Sequence, residues 1–306
     1  MTSPVLSKIQ IPEKFSNIYS HHRFGWRRVI EELNNSCPNH RGSVILNPFF
    51  EHDFVYVKKI NPNLVEPYSK TPWITFVHEP ADRPDTCLSD FLQKYSKNSL
   101  IQKCLSNLKG IFTLTNHQRI NYNKLQFPND IFISNLLYPT EQEVRKWSAD
   151  YFCGTLLSIG KHCRNHKIFN NLIRKNSFIK EKRLIGGKKY NHRTVDNNEY
   201  DLLLSSSVVF QNYDYCAAST TIVECISSET PLIVNRISPI VEYLGEEYPL
   251  YYNNNEDVRF LFSNKDVFLS KILEANIYLK TLNKSRPLSY NSFLHDFYRS
   301  DVYNNI

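Results

Sequence analysis

Three short stretches carry residue types whose spacing suits chemistry. His78 ends the apolar run Trp73-Ile74-Thr75-Phe76-Val77, and Pro80 turns the chain just beyond it. A histidine at the carboxyl end of a buried strand is placed to take a proton near neutral pH. Glu79 and Asp82 are near enough in sequence to orient the ring. The structural alternative is an imidazole bonded to its own loop. In the second stretch, Ser219, Thr220 and Thr221 open a helix whose first-turn N–H groups and positive dipole end suit a phosphate. Glu224 lies one turn further in, where a carboxylate can accept two hydrogen bonds from a ribose diol, and Glu242 stands early in the next helix. An ordinary βαβ unit with solvated Ser and Glu is the alternative. The third stretch follows the apolar segment 152–159: Gly160, then Lys161, His162, Arg164, Asn165, His166 and Lys167. Several cationic groups at one strand end favour a bound anion over scattered loop charges, because a guanidinium grips phosphate oxygens in pairs.

The elements that position these groups alternate between strand and helix. The central stretch is 200–252. Within it, 207–210 reads as a buried parallel strand, 211–216 as a loop and 217–226 as a helix. Pro231 ends that helix and starts the strand 232–234; Pro239 starts a second short helix, which Gly245 stops. In the first half, His21, His22, Arg23 and Gly25 form a loop before an amphipathic helix with Trp26, Val29, Ile30 and Leu33 on one face. Strands are expected at 15–19, 43–47, 54–57, 73–78, 110–115 and 129–138, with a loop over 60–72 and a helix over 88–108. Helical patterns return at 168–173, 256–283 and 289–303. The whole is an α/β chain.

Composition narrows the function classes. A net charge of +7 over 306 residues fits anionic ligands but is too modest to imply nucleic acid. The 7 cysteines are scattered without a C-x-x-C pair, which indicates reduced thiols and a cytoplasmic protein. The first residues lack a signal-peptide core, and no apolar run approaches the ~18 residues of a membrane span. The basic segment 174–193 would serve a peripheral contact with a membrane surface, or simply a solvated face. There is no D-x-D pair, so no metal ion is expected to be obligatory.

The stretch around Glu224 resembles the C-terminal half of GT-B glycosyltransferases, close to their family-4-like group. The matching residues are Ala218-Ser219-Thr220-Thr221, Glu224, the segment 230–235 (TPLIVN) and Glu242. IVEYLGEEYPLYY over 240–252 is similar to a pattern found in some viral and bacterial members. The first half is similar through Trp73, Phe76 and His78, and through Pro139-Thr140-Glu141, where Tyr138 replaces the group's His. Arg164 and Asn165 match the group's strand exit. The wider family often has a Glu eight residues before the helix Glu, and here that residue is Cys216. The resemblance implies two Rossmann-like domains facing a central cleft. They would span 1–145 and 146–285, with 286–306 a helix packing back on the first. It implies a nucleotide-sugar donor on Gly160, Lys161, Arg164, Asn165, Ser219, Thr220, Thr221, Glu224 and Glu242, with no cofactor. A glycan or other hydroxyl acceptor would meet His21, His22, Arg23 and Gly25, with His78, Arg164 and Glu224 catalytic in a hexosyl or pentosyl transfer. Two alternatives remain: a nucleotide-sugar epimerase of the same fold, and a non-catalytic nucleotide- or glycan-binding protein.

Overall fold

The run Trp73–Val77, apolar but for Thr75, is buried along its whole length, as a strand inside a parallel sheet must be. A computed structural model describes residues 8–12, 26–36, 43–57, 60–84, 86–171, 178–186 and 195–306. The chain runs β1 (Ile9–Gln10), α1 (Trp26–Ser36), β2 (Val44–Asn47), α2 (Phe50–Phe54), α3 (Pro62–Lys70), β3 (Trp73–Val77), α4 (Leu88–Lys94), α5 (Ser99–Asn107), β4 (Leu108–Thr113), α6 (Asn116–Tyr122) and β5 (Phe132–Asn135). It continues through β6 (Thr155–Ile159), α7 (Lys167–Asn171), β7 (Glu181–Ile185), α8 (Asn197–Ser206), β8 (Val208–Gln211), α9 (Thr220–Ser228), β9 (Leu232–Asn235), α10 (Ser238–Leu244), β10 (Tyr251–Tyr252), α11 (Asn255–Leu261), α12 (Lys265–Ser285), α13 (Tyr290–Arg299) and α14 (Asp301–Asn304). Two compact units result, Met1–Pro139 with Tyr290–Ile306, and Thr140–Ser289. The sequence reading set the division at 145/146.

The first unit holds a five-stranded parallel sheet in chain order, β1-β2-β3-β4-β5. Helix α1 buries Trp26, Val29, Ile30 and Leu33, the face its spacing predicts. The last helices complete this core. Phe293 and Phe297 are buried, and the Phe297 ring lies 5.0 Å from Phe112 while Phe293 lies 6.0 Å from Phe76. Each such pair adds about 0.5–1.5 kcal/mol beyond simple burial. Gly110 lets α14 approach: a methyl group on it would stand 2.5 Å from Val302 Cγ1. Gly110→Ala is therefore expected to destabilise the protein by about 1–3 kcal/mol, read as a lowered urea midpoint with unchanged slope.

Four segments differ from the sequence expectation. No strand forms at 54–57, where α2 ends at Phe54 and a turn follows, and α3 occupies most of the loop expected over 60–72. Asn61 and Pro62 look like turn residues, but Asn61 caps α3 by accepting from Asn63 N–H at 3.1 Å, and Pro62 takes the first helical position. The helix expected at 88–108 is two, α4 and α5, and its last residue begins β4. Helix α8 precedes β8 where no helix was expected. The stretch 15–19 lies outside the described residues.

The second unit has the sheet order β10-β9-β8-β6-β7, all parallel. Strand β7 pairs on one side of β6, and β8 with its successors lies on the other. The order thus reverses between β6 and β8. In open parallel sheets, ligands bind outside the carboxyl ends of the strands at such a reversal, because the chains leaving the two strands diverge there.

Candidate functional site

The loops leaving β6 and β8 are stitched together at the reversal. Asn165 N–H donates to Asn212 O at 2.8 Å, and Asp214 N–H to Cys163 O at 3.0 Å. Arg164 and Tyr213 form an isolated antiparallel bridge. This holds the Arg164 guanidinium 4.9 Å from the centre of the Tyr213 ring, a cation–π arrangement. Its Nη2 donates to Ser219 Oγ at 3.1 Å, Thr221 Oγ1 at 3.2 Å and Tyr213 Oη at 3.3 Å, and Nη1 donates to His162 O at 3.0 Å. Gly160 makes room with φ +75, where a methyl group would stand 2.9 Å from Arg164 Nη1. Burial pushes the Tyr213 hydroxyl up to about 12, against the pull of Arg164.

Ser219 is the N-cap residue of α9 but makes no side-chain cap; its Oγ is held by Arg164 and, at 2.6 Å, by Tyr213 Oη. The first turn of α9 therefore presents N–H groups without a side-chain cap beside a fixed guanidinium. That is the chemistry of an anion seat. The structure brings together Gly160, Arg164, Ser219 and Thr221, and Thr220 starts the helix between the last two. Asn165 supports the loop, accepting from Lys167 N–H at 3.0 Å, and Lys161 is exposed beside it.

Glu224 sits one turn into α9, but its side chain turns inward. It is 2% exposed and accepts a short hydrogen bond from Tyr200 of α8. Burial and the Glu224 charge raise the Tyr200 hydroxyl well above the ordinary tyrosine range. Glu242 falls in the last turn of α10, and its carbonyl accepts from Arg286 at 3.0 Å. Cys216, in the place of the family's other Glu, is buried. The sequence marks neither Tyr213, which reads only as a loop residue, nor Tyr200, which precedes the strand expected at 207–210.

His78 leaves β3 in the first unit. Its ring meets Trp26 at 4.5 Å and Phe49 at 4.1 Å, both edge to face. Nε2 lies 3.1 Å from Pro48 O. A carbonyl only accepts, so Nε2 carries the proton and Nδ1 is the ring's acceptor. Burial lowers the imidazole to about 3, so it stays neutral. Glu79 is engaged elsewhere, accepting from Tyr56, from Arg83 at 2.7 Å and from Thr86 at 3.0 Å. The ring is set by Pro48, Trp26 and Phe49. Asp82 is exposed.

His21, His22, Arg23 and Gly25 lie outside the described residues. Within the basic segment 174–193 only 178–186 is described. There Arg183 pairs with Glu181 at 2.7 Å, and Lys182 donates to Asn170 O at 3.1 Å. Among the described residues, no helix is long and apolar enough to cross a membrane.

Two units, each built on a five-stranded parallel sheet, with a strand-order reversal in the second, define the GT-B fold. Solved structures share it. HepE of Anabaena in complex with UDP-glucose matches at a TM-score of 0.60 and 7% identity, over 89% of this chain and 80% of that one. TarM matches at 0.57 and 10%, over 85% of this chain and 54% of that one, so the chain spans about half the length of TarM. Sucrose-phosphate synthase from Thermosynechococcus elongatus matches at 0.54 and 9%, over 89% and 77%. No protein-family model and no curated sequence matches the chain.

Proposed function

We propose that the protein is a glycosyltransferase, of the family-4-like group, that moves a sugar from a nucleoside-diphosphate donor to a hydroxyl on a glycan, lipid or protein-linked acceptor. One observation carries this reading: Arg164 is clamped at the uncapped start of α9, at the strand-order reversal of the second unit. The donor diphosphate would take that seat, between the guanidinium and the N–H groups of Thr220 and Thr221. As the glycosidic bond breaks, negative charge grows on the departing diphosphate, and a fixed cation stabilises it most there. Because Arg164 supplies that charge, turnover is proposed to need no divalent ion, and a chelator should leave the rate unchanged.

Two roles are refined by the geometry. His78 offers a neutral Nδ1 that can accept a hydrogen bond from a sugar hydroxyl, and a ring lowered to about 3 is too weak a base to hold that proton. We assign it to positioning a sugar. Glu224, buried against Tyr200, fits a direct ribose contact less well than it fits holding Tyr200 in place behind the seat. His21, His22, Arg23 and Gly25 stay proposed on the acceptor side, and the basic segment as a peripheral membrane contact.

The test uses UDP and UDP-glucose, because the HepE structures contain them. UDP should raise the melting temperature, since a ligand at a hundred times its Kd adds about 2.7 kcal/mol to the native state. Product analysis then separates transfer from epimerisation of the donor and from binding without turnover. No stabilisation by UDP, ADP, GDP, CDP or dTDP would refute the reading.

A further inference from the structure

A polar cavity of about 620 Å³ runs along β5, the edge strand of the first sheet. Its lining comes from β5 and the residue after it, from α6, and from α13 with the start of α14. It shares no residue with the anion seat of the second unit. Two guanidinium groups reach it. Arg119 is fixed through its Nε, which donates to Asn116 Oδ1 at 2.8 Å. Arg299 donates from Nη1 to His295 Nε2 at 3.3 Å. A guanidinium only donates, so Nε2 is the acceptor, and the Nδ1 proton of His295 goes to Asp296 Oδ1, also at 3.3 Å. Among the described residues neither guanidinium pairs with a carboxylate, and the terminal nitrogens of Arg119 and Nη2 of Arg299 reach no acceptor. The strand adds two further donors. Ser134 is 9% exposed; its Oγ accepts from Val302 N–H at 3.3 Å, and its hydroxyl hydrogen meets no acceptor among the described residues. Asn135 accepts from Thr113 Oγ1 at 3.5 Å, while its Nδ2 donates to none of them.

Donors without acceptors suit a ligand rich in oxygen, and two guanidinium groups in one cavity suit a charged oxygen group gripped in pairs. Two features make the rest of that ligand a sugar and not a bare anion. The volume falls within roughly the 300–1,000 Å³ of sites for small organic molecules, far above that of a phosphate. Asp296 and Asp301 also line the cavity and formally balance the two arginines. Carboxylates repel a polyanion but accept hydrogen bonds from hydroxyl groups. Ile133 and Leu136 add an apolar strip for the C–H face of a ring. We propose that this cavity binds a saccharide carrying one phosphate or carboxylate group. Arg119 and Arg299 take the anionic group, and Ser134, Asn135 and the two aspartates take the ring hydroxyls. The site goes beyond the donor reading and stands whether or not the chain transfers a sugar.

The experiment is calorimetry on the full chain, with UDP added in excess to keep phosphate probes off the Arg164 seat. The probes are glucose 6-phosphate, glucuronate, glucose and inorganic phosphate. One or both of the sugar acids should bind, and the tighter of the two tells phosphate from carboxylate. Glucose and inorganic phosphate each offer only part of the ligand and should bind about 10-fold more weakly or less. Arg119→Gln and Arg299→Gln should each weaken sugar-acid binding about 10–100-fold, the loss of one charge-assisted hydrogen bond. Arg119 is partly exposed and Arg299 exposed, so both variants should keep the wild-type melting temperature and its response to UDP. Failure of both sugar acids to bind, or binding indifferent to both substitutions, would overturn the proposal. Inorganic phosphate binding as tightly as glucose 6-phosphate would overturn the assignment to a saccharide. Sugar-acid binding without any response to UDP would remove the donor reading and leave this site in place.

Discussion

Replacing Arg164 with alanine should lower donor turnover by about 10²–10³-fold, the usual loss when one fixed electrostatic group is taken from a transition state. The guanidinium is held by five contacts, to Ser219, Thr221, His162, the Tyr213 hydroxyl and the Tyr213 ring, so it needs no reorganisation as charge develops. UDP affinity should weaken much less, because the helix N–H groups remain. Arg164→Lys should restore little. A lysine gives a point charge on a flexible stem and cannot serve Ser219, Thr221 and the ring of Tyr213 from one plane. Turnover number and UDP affinity, measured separately on both variants, decide this. A raised KM with an unchanged kcat would mean that Arg164 binds ground state and transition state alike.

His78→Ala should lower transfer by about 10²-fold, the scale of a misplaced substrate, with UDP affinity unchanged because the anion seat belongs to the other unit. The pH dependence is the sharper test. With the imidazole lowered to about 3, the wild-type rate should cross pH 6.5 without a step. Stability behaves differently. The unfolded imidazole takes a proton near 6.5 while the native one refuses it until about 3, so His78 makes the protein less stable as pH falls through that window. The alanine variant should lose this part of the acid sensitivity. A rate step centred near pH 6.5 in the wild type and absent from His78→Ala would instead make His78 the base.

Much of this arrangement is readable in the sequence, for identifiable reasons. Buried parallel strands are nearly continuous apolar runs, so 73–77, 208–210 and 232–234 show themselves. Trp26, Val29, Ile30 and Leu33 announce α1 by spacing alone. What escaped depends on tertiary placement. Phe54 to Val57 has a strand-like composition, but the chain makes a short helix at Phe50–Phe54, and that helix carries Glu51 beneath the His78 turn. Tyr213 lies in a polar, aromatic stretch that reads as a loop, and its bond to Arg164 spans 49 residues. The inward turn of Glu224 requires α8, whose leucines and serines carry a weak helical signal. Strand order is likewise a property of the sheet and not of any window of sequence, so the reversal beside β6 becomes visible only in the fold.

The return of the last helices to the first unit sets the order in which the protein can be completed as it is made. Residues 140–289 form one uninterrupted piece, so the second unit has all its residues once they have left the ribosome. The first unit must wait. Its sheet is synthesised early, yet Phe293 and Phe297, which cover Phe76 and Phe112, come last. Contacts such as Ser36 to Tyr298, 262 residues apart, close only after the other unit has been threaded between them. Closure over such distances is slow. Until then the nascent first unit exposes aromatic surface, the kind of intermediate that chaperones shield.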